Sequence, residues 1–564
     1  MEYSGDPLSK LTHVRASWLP VLLISIVLAS AFVTPMLFLG NASGHDFQPH
    51  VASWVEVLSQ WRSGHWFPRW AGGANFGYGE PRFIFYPPAS WMIGAALGSF
   101  LPWRMVPGAF VWLTVILASF SMWFFARACL SPTQAIIAAV LFVTNPYSLA
   151  LIYYRSDFAE FLAGAIFPLL MLGTVNAVQG NWRHVPLLAF AVAAIWLSNA
   201  PAAVIATYSL VLMLVVGCLV QRNLKGLLIG ACGLIAGLLV SAFYIIPAWW
   251  EQRYIQIADA VSTHYSPQFN FLFTRLNEPD FNLFNWKISA IAVTLILFTL
   301  LAIGLSVRYH ADRADVWWML SSLFLAAVIL MLPFSAFLWR HLPELHFLQF
   351  PWRWLLILNV AFAFFGAMAG RSWWGAIWWL TLMVVILAAA STIAGDTGWD
   401  SDDVKSVVES INSGKGYEGI EGFDPRDARV DQLDEAAPLV SEFDPSSGET
   451  DESEDTRVVV DQWGAERKSF AVTTQRPVNL ALKLLDYSAW EARVDNNPTP
   501  LQHVPATGQI VIPVNEGTHR VDVFFRRTLD RTVGGIVSAA SLLTLLILAL
   551  FLRPRQATEV EWFR

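Results

Sequence analysis

Apolar runs of about twenty residues recur along the chain, each long enough to cross a bilayer as a helix. They predict twelve spans, at 18–40, 107–128, 132–152, 158–178, 185–200, 202–220, 226–249, 288–306, 316–336, 354–370, 373–394 and 533–552. A thirteenth apolar stretch, 84–102, is opened by Pro87-Pro88 and is read as a juxtamembrane helix that lies on the surface. Charge decides this. With 84–102 not crossing, Arg127, Arg183, Arg222 with Lys225, Arg308 with Arg313, Arg371, and Arg553 with Arg555 all fall on the side of Lys10 and Arg15. Short basic loops mark the cytoplasm. Both termini are therefore expected in the cytoplasm of an inner-membrane protein. The long connections 41–106, 250–287, 337–353 and 395–531, with the tip 153–158, are expected together on the non-cytoplasmic face. Binding and catalytic groups concentrate on long connections held by a rigid scaffold.

The segment between the eleventh and twelfth spans changes pattern twice. From 395 to 456 it is rich in Gly, Ser, Asp and Glu, with 19 acidic against 4 basic residues between Asp396 and Thr456, and is predicted largely irregular. From Arg457 to residue 531, short runs alternate apolar and polar positions, separated by turns such as Asp495-Asn496-Asn497-Pro498 and Asn515-Glu516-Gly517. Period-two alternation with regular turns predicts a small β-sandwich. The predicted class is therefore mainly α: a polytopic membrane domain (1–394), an acidic segment, a β-sandwich, and a last helix with its tail (532–564).

Composition agrees. Hydrophobic residues make up 55% of the 564, charged residues 14%, and the mean hydropathy is +0.48, where soluble domains are about a quarter charged. The first apolar run is too long for a cleavable signal and reads as an anchor. Cys129, Cys218 and Cys232 form no CxxC or Cys/His pattern, which argues against a disulfide framework or a zinc site. The acidic block gives a local net charge of −15, so it should stand off anionic headgroups. No nucleotide-binding loop, GxSxG or HExxH motif is present, and no nucleic-acid partner is expected.

Candidate chemistry clusters in the expected outer loops. Asp46 follows the first span directly, where its carboxylate could take a proton from an attacking hydroxyl or cap the helix that follows. His50, four residues on, shares its side of that helix; the two could bind a divalent metal, or simply hydrogen-bond. Asp157 and Glu160 sit on adjacent turns at the mouth of a span, where carboxylates need a partner, water or the bundle interior; pairing with Arg155 is the plainer alternative. Arg82, Arg155 and Arg353 could converge on a phosphate or snorkel singly to headgroups. Arg69, Tyr78, Glu80 and Tyr86 of the first loop join the candidate substrate-binding set, and His264 and His346 could line the same cleft.

Taken in order, GHDFQPH, FPRW, GYGEPRFIFYPP, YRSDFAEF, QFPWRW and LLDYSAWEARVDN with IVIPVNEGTHRVDVFF resemble two related groups of bacterial membrane proteins. These are the 6-pyruvoyl-tetrahydropterin-synthase-related and the YfhO-like proteins, within the GT-C superfamily of membrane glycosyltransferases. The resemblance runs from about 18 to 552 and is loose around Tyr417-Glu418-Gly419 and Asp424-Pro425; no residue suggests pterin chemistry. It implies an inverting transferase that takes a sugar from a polyprenyl-phosphate donor to a glycan, lipid or protein acceptor. Asp46 would be the general base, arginines would hold the lipid phosphate, and Asp157 and Glu160 would bind acceptor or assist a metal such as Mg or Mn. Superfamily members often carry a second acidic residue beside the first-loop Asp; here that position is not acidic. All these groups are then expected in one wet cavity beneath the β-domain. The rival readings are a transporter, which calls for intramembrane charges, broken helices and inverted repeats not visible in the sequence, and a non-catalytic assembly protein.

Overall fold

The computed structural model describes residues 7–551 except 372–373, 449 and 452–454. Arg553 and Arg555, and the side chains of Lys10 and Arg15, lie outside the described residues.

Among the described residues, nine helices are long and apolar enough to cross a membrane: Trp18–Leu39, Trp103–Arg127, Pro132–Arg155, Phe158–Val178, Ala200–Gln221, Pro279–Tyr309, Pro351–Ala369, Gly375–Asp396 and Leu529–Phe551. Two further predicted spans are bent pairs, Lys225–Val240 with Ala242–Tyr254 (72°) and Ala314–Leu330 with Pro333–His341 (91°). The twelfth, Trp182–Ser198, is a shorter apolar helix, roughly 25 Å long at 1.5 Å per residue. Pro333 opens the second limb of its pair, since a residue without an N–H cannot continue the first. At the other bend the Phe243 N–H, released from the ladder, donates to Ser538 Oγ of the last helix at 2.8 Å. A neighbouring hydroxyl thus satisfies a group that hydrocarbon could not.

Burial ranks the helices. The Pro351–Ala369 window is 100% buried, whereas Gly375–Asp396 and Leu529–Phe551 are 17% buried, so the first is the bundle's axis and the other two its rim. Arg353 enters at the head of that axial helix. The stretch 84–102 forms the helix Pro88–Gly98, too short to span, packed on Phe47–Arg62 so closely that a Cβ on Gly94 would meet the Trp54 ring at 2.2 Å.

The β-domain is two five-stranded antiparallel sheets. One runs Gln502–His503, Gln509–Val514, Val478–Leu485, Val440–Phe443, Thr450–Asp451. The other runs Thr456–Trp463, Arg467–Thr474, Gly517–Phe525, Trp490–Val494, Asn497–Thr499. Alternate residues Phe470, Val472, Leu480, Leu482, Ile510, Ile512, Val521 and Val523 form the shared core. The boundary differs from the sequence reading, because Val440–Phe443 of the acidic segment pairs with Val478–Leu485 (Val440↔Leu482). Backbone hydrogen bonds recruit it, with Val440 packing on the sandwich core and Phe443 on Ala481, Val504 and Val511. The same segment pairs Trp399–Asp400 with Asn41–Ala42 and forms the helix Asp403–Asn412, so much of what reads as irregular is ordered against the first loop.

The long connections meet at one end of the bundle. Tyr417 reaches Glu56, Gln256 reaches Pro425, Gln349 reaches Ala260, and Tyr487 and Arg531 reach Glu251.

Candidate functional site

The turn between the spans 132–155 and 158–178 builds the site. Leu151–Arg155 is wound as a π-turn, Ser156 takes a left-handed conformation (φ 53°), and Asp157 caps the next helix by accepting from the Glu160 N–H at 2.9 Å. The first loop lies directly on this reversal. Asp46 N–H donates to the Arg155 carbonyl at 2.8 Å, and Ser156 Oγ accepts from Gly44 N–H at 3.3 Å and donates to the Ala42 carbonyl. Gly44 permits the approach: a Cβ there would lie 2.4 Å from the Arg155 carbonyl carbon.

Arg155 is thereby placed at the centre of three carboxylates. Its Nη2 lies 2.7 Å from Asp46 Oδ2 and 2.8 Å from Asp157 Oδ2, and its Nη1 2.6 Å from Glu160 Oε2. Arg353 Nε shares Glu160 Oε2 at 3.0 Å, and Tyr147 donates to Glu160 Oε1 at 2.6 Å. Both guanidiniums lie over aromatic rings, Arg155 over Trp352 (5.0 Å) and Arg353 over Phe350 (4.9 Å), and those two rings stack 4.9 Å apart. His50 Nε2 stands 3.6 Å from Asp157 Oδ1 and 3.5 Å from the Tyr86 hydroxyl, with Nδ1 3.4 Å from Ser90 Oγ. Burial would push the Asp157 carboxyl up, but Arg155 and then His50 hold it below the usual carboxylate range. Burial, then Asp157 and Asp46, raise the Tyr86 hydroxyl well above its ordinary value, so it remains a donor. Exposure separates the carboxylates. The Asp46 side chain is 37% exposed, those of Asp157 and Glu160 4% and 0%.

The donor set does not suit a metal. Asp46, Asp157 and Glu160 each commit an oxygen to Arg155, whose charge a cation would have to displace. Among the described residues no group of three or more His, Cys, Asp or Glu has metal-binding geometry.

The remaining candidates go elsewhere. Arg82 and Glu80 are fully buried in a second network: Arg82 Nε meets Glu80 Oε1 at 2.6 Å, and Nη1 donates to the Tyr417 hydroxyl (3.2 Å) and Ser53 Oγ (3.3 Å). Tyr417 in turn donates to Glu56 Oε1 at 3.1 Å, and Asn75 donates to Asp424 Oδ1 at 2.8 Å. This network holds the acidic segment against the loop. It is tight enough that a Cβ on Gly419 would lie 2.1 Å from Asn75 Oδ1. His50, Ser53 and Glu56 form one polar stripe on the helix Phe47–Arg62, which joins the two networks. Tyr78 is buried, donating to the Asp434 carbonyl at 2.9 Å. His264 pairs with Glu278 at 3.1 Å on the surface, and His346 lies against Phe347. Arg69 sits in a cavity beyond the far end of Phe47–Arg62. Of the arginine trio, Arg155 and Arg353 meet and Arg82 does not. Beside Tyr86 lies Phe423 of the acidic segment, at 6.4 Å, rather than the sandwich.

Sequence reasoning missed the partners Tyr147 and Tyr417 and the pair Glu251–Arg531. The Glu251–Arg531 contacts are 2.7 Å (Nε to Oε1) and 2.6 Å (Nη2 to Oε2), with Tyr487 donating to Oε2 at 2.7 Å. A glutamate ending an apolar run and an arginine opening another were the available signal.

Fold and site together define a polytopic membrane protein with a buried ion network under its long loops and a two-sheet domain docked beside it. The chain belongs to the family described as "6-pyruvoyl-tetrahydropterin synthase related domain; membrane protein", whose model matches residues 83–400. That range includes Arg155, Asp157, Glu160 and Arg353; Asp46 precedes it. No curated protein matches the sequence. Among solved structures it is similar to cryo-EM structures of the arabinofuranosyltransferase AftD from Mycobacteria, at 19% identity over 68% of this chain with a TM-score of 0.42. A mutant of that protein matches at 19% over 66%, with a TM-score of 0.43. The match spans 27% of the length of either transferase, and a likeness of this size carries no functional argument.

Proposed function

We propose that the protein is a membrane glycosyltransferase of GT-C type, moving a sugar from a polyprenyl-phosphate donor to a glycan, lipid or protein acceptor at the periplasmic end of the bundle. The observation that carries this is the Asp46 carboxylate. Among the three carboxylates around Arg155 it alone is substantially exposed, at 37%, and it sits where the first long helix leaves the membrane. Arg155 holds Oδ2, so Oδ1 is left to accept a hydrogen bond from an acceptor hydroxyl. As the hydroxyl oxygen bonds to the anomeric carbon, the bond from the carbon to the phosphate oxygen breaks on the opposite face. The hydroxyl proton passes to Asp46, and polyprenyl phosphate departs with the electron pair. Arg353 and the stacked Phe350 and Trp352 lie at the same mouth, suited to a phosphate and an apolar chain.

A transporter remains the second reading, because two helices are sharply bent as transporters require. The breaks themselves, at Ser241 and at Met331-Leu332, carry no ionisable side chain to read a substrate. The test is Asp46→Asn in the full-length protein with a radiolabelled polyprenyl-phosphate sugar. Loss of a positioned base lowers transfer by about 10²- to 10⁴-fold while the protein stays folded; undiminished glycan product would defeat the assignment.

A further inference from the structure

A second polar cavity lies away from the Asp46 cluster. Its volume is about 340 Å³, and it opens to solvent where the first loop, the strand Gly517–Phe525 and the start of the last helix meet. Five arginines line it, Arg69, Arg467, Arg526, Arg527 and Arg531, against one carboxylate, Glu466. Three are committed: Arg531 to Glu251, Arg526 to Glu491 at 3.2 Å, and Arg467 to Asp522 at 3.9 Å. Arg527 is exposed and, among the described residues, makes no ion pair or hydrogen bond. Arg69 is half-buried, and among the described residues its guanidinium donates only to the Phe67 carbonyl, at 3.2 Å. Glu466 lies close but accepts the Arg69 backbone N–H at 2.7 Å. Burial lowers the Arg69 pKa, with Glu466 opposing the shift and Arg531 and Arg527 adding to it, so positive charge is crowded here.

The surroundings place this cavity at the membrane boundary. Arg527 stands two residues before the helix Leu529–Phe551, and Leu529, Trp66 and Trp249 expose large apolar side chains nearby. Exposed Trp rings beside arginines are the usual composition of the headgroup level. The site is not the Asp46 cluster seen from another side. Asp46 begins the 16-residue helix Phe47–Arg62, and Arg69 follows its other end, roughly 24 Å away at 1.5 Å per residue.

We propose that this cavity binds a phosphate group, that of a lipid headgroup in the adjacent leaflet or of a soluble phosphate, with Arg69 and Arg527 as its donors. Planar guanidiniums without ion partners offer a phosphate paired N–H donors, and a single such contact is worth about tenfold in affinity. A lipid phosphate here would tie the β-domain, the first loop and the last helix to the bilayer surface.

The test is native mass spectrometry of the detergent-solubilised full-length protein with added dioleoyl phosphatidic acid, with and without inorganic pyrophosphate. One phosphatidic acid should be retained by the unsubstituted protein, about tenfold less by Arg527→Gln and less again by R69Q/R527Q. Asp46→Asn should retain it fully. Displacement by pyrophosphate identifies the bare phosphate as sufficient, and retention against pyrophosphate identifies a lipid; both support the site. Because Arg527 is exposed and unpaired, its substitution leaves the fold intact and carries the test even if R69Q misfolds. Equal retention by the unsubstituted protein and Arg527→Gln, or loss of retention in Asp46→Asn, overturns the proposal.

Discussion

Replacing Glu251 with alanine removes the acceptor for two short contacts from Arg531 and one from Tyr487. Both charged side chains are nearly inaccessible, 1% exposed for Glu251 and 3% for Arg531, so water cannot take the carboxylate's place. Breaking a buried pair from one side costs about 3–5 kcal/mol, most of it the unpaired charge left behind. The Tyr487 hydroxyl adds about 1 kcal/mol. Removing both charges in Glu251→Leu/Arg531→Met should cost far less than the sum of the singles, because no charge is stranded. A global melting curve is a poor readout for a chain with a membrane bundle and a β-domain. Hydrogen exchange reports the joint itself. In Glu251→Ala the amides near 251–254 and 526–532 should exchange roughly 10³- to 10⁴-fold faster, with the sandwich core strands unchanged. A change below about tenfold, or strict additivity in the double variant, would refute the view that this pair fastens the last helix and the β-domain to the bent helix.

Other predictions concern the first loop. Burial and the neighbouring Glu80 raise Asp424 from 3.8 to about 7, and burial raises Glu56 from 4.5 to about 7. Such groups keep a proton in the folded state that the unfolded chain has lost, so stability falls as pH climbs from about 4 to about 7 and is flat above. At about pH 8 the amides around Asp424 should therefore exchange more slowly in Asp424→Asn than in the unsubstituted protein, by an opening free energy on the order of 2–4 kcal/mol at most, and match it near pH 4; identical exchange at the higher pH contradicts this. Gly44→Ala places a methyl 2.4 Å from the Arg155 carbonyl carbon, so the loop must lift and carry Asp46 from its partner. Transfer should fall about 100-fold or more with helix content by circular dichroism retained, and near-normal transfer would show that the loop position does not matter.

Hydropathy and loop charge made most of the bundle legible, because a bilayer demands uninterrupted apolar length and that demand is written residue by residue. Pro87-Pro88 marked 84–102 as a stretch that does not cross, and the helix there, Pro88–Gly98, is too short to span. The bends were not legible. The run 226–249 stays apolar through Ser241, and the released Phe243 N–H is answered by Ser538, nearly three hundred positions away. The acidic segment was misjudged for a related reason. Its charge announces solvent, but Val440–Phe443 joins a sheet through backbone groups common to all residues.

The site divides along the same line. Asp46, Asp157, Glu160, Arg155 and Arg353 were visible as charges at the ends of spans, where ionisable groups are conspicuous. That Arg155 serves three carboxylates was not, because it depends on the close passage of Gly44 over the Arg155–Ser156 reversal. Glu80 and Arg82 looked like ligand groups for the same reason, yet their partners are Tyr417 and the Ile420 N–H, in a segment whose composition gives no hint of a fixed position. Arg69 and Arg527 stand more than four hundred residues apart and become neighbours only when the last helix docks.

The most direct measurement is a density map of the full-length protein with bound polyprenyl phosphate. The phosphate is predicted beside Arg353 and the Phe350–Trp352 stack, with Asp46 facing it across a gap that a sugar and a hydroxyl would fill. Density for the phosphate at the opposite end of the bundle, or only in the Arg69–Arg527 cavity with none at Arg353, would contradict the assignment of Asp46 as the base.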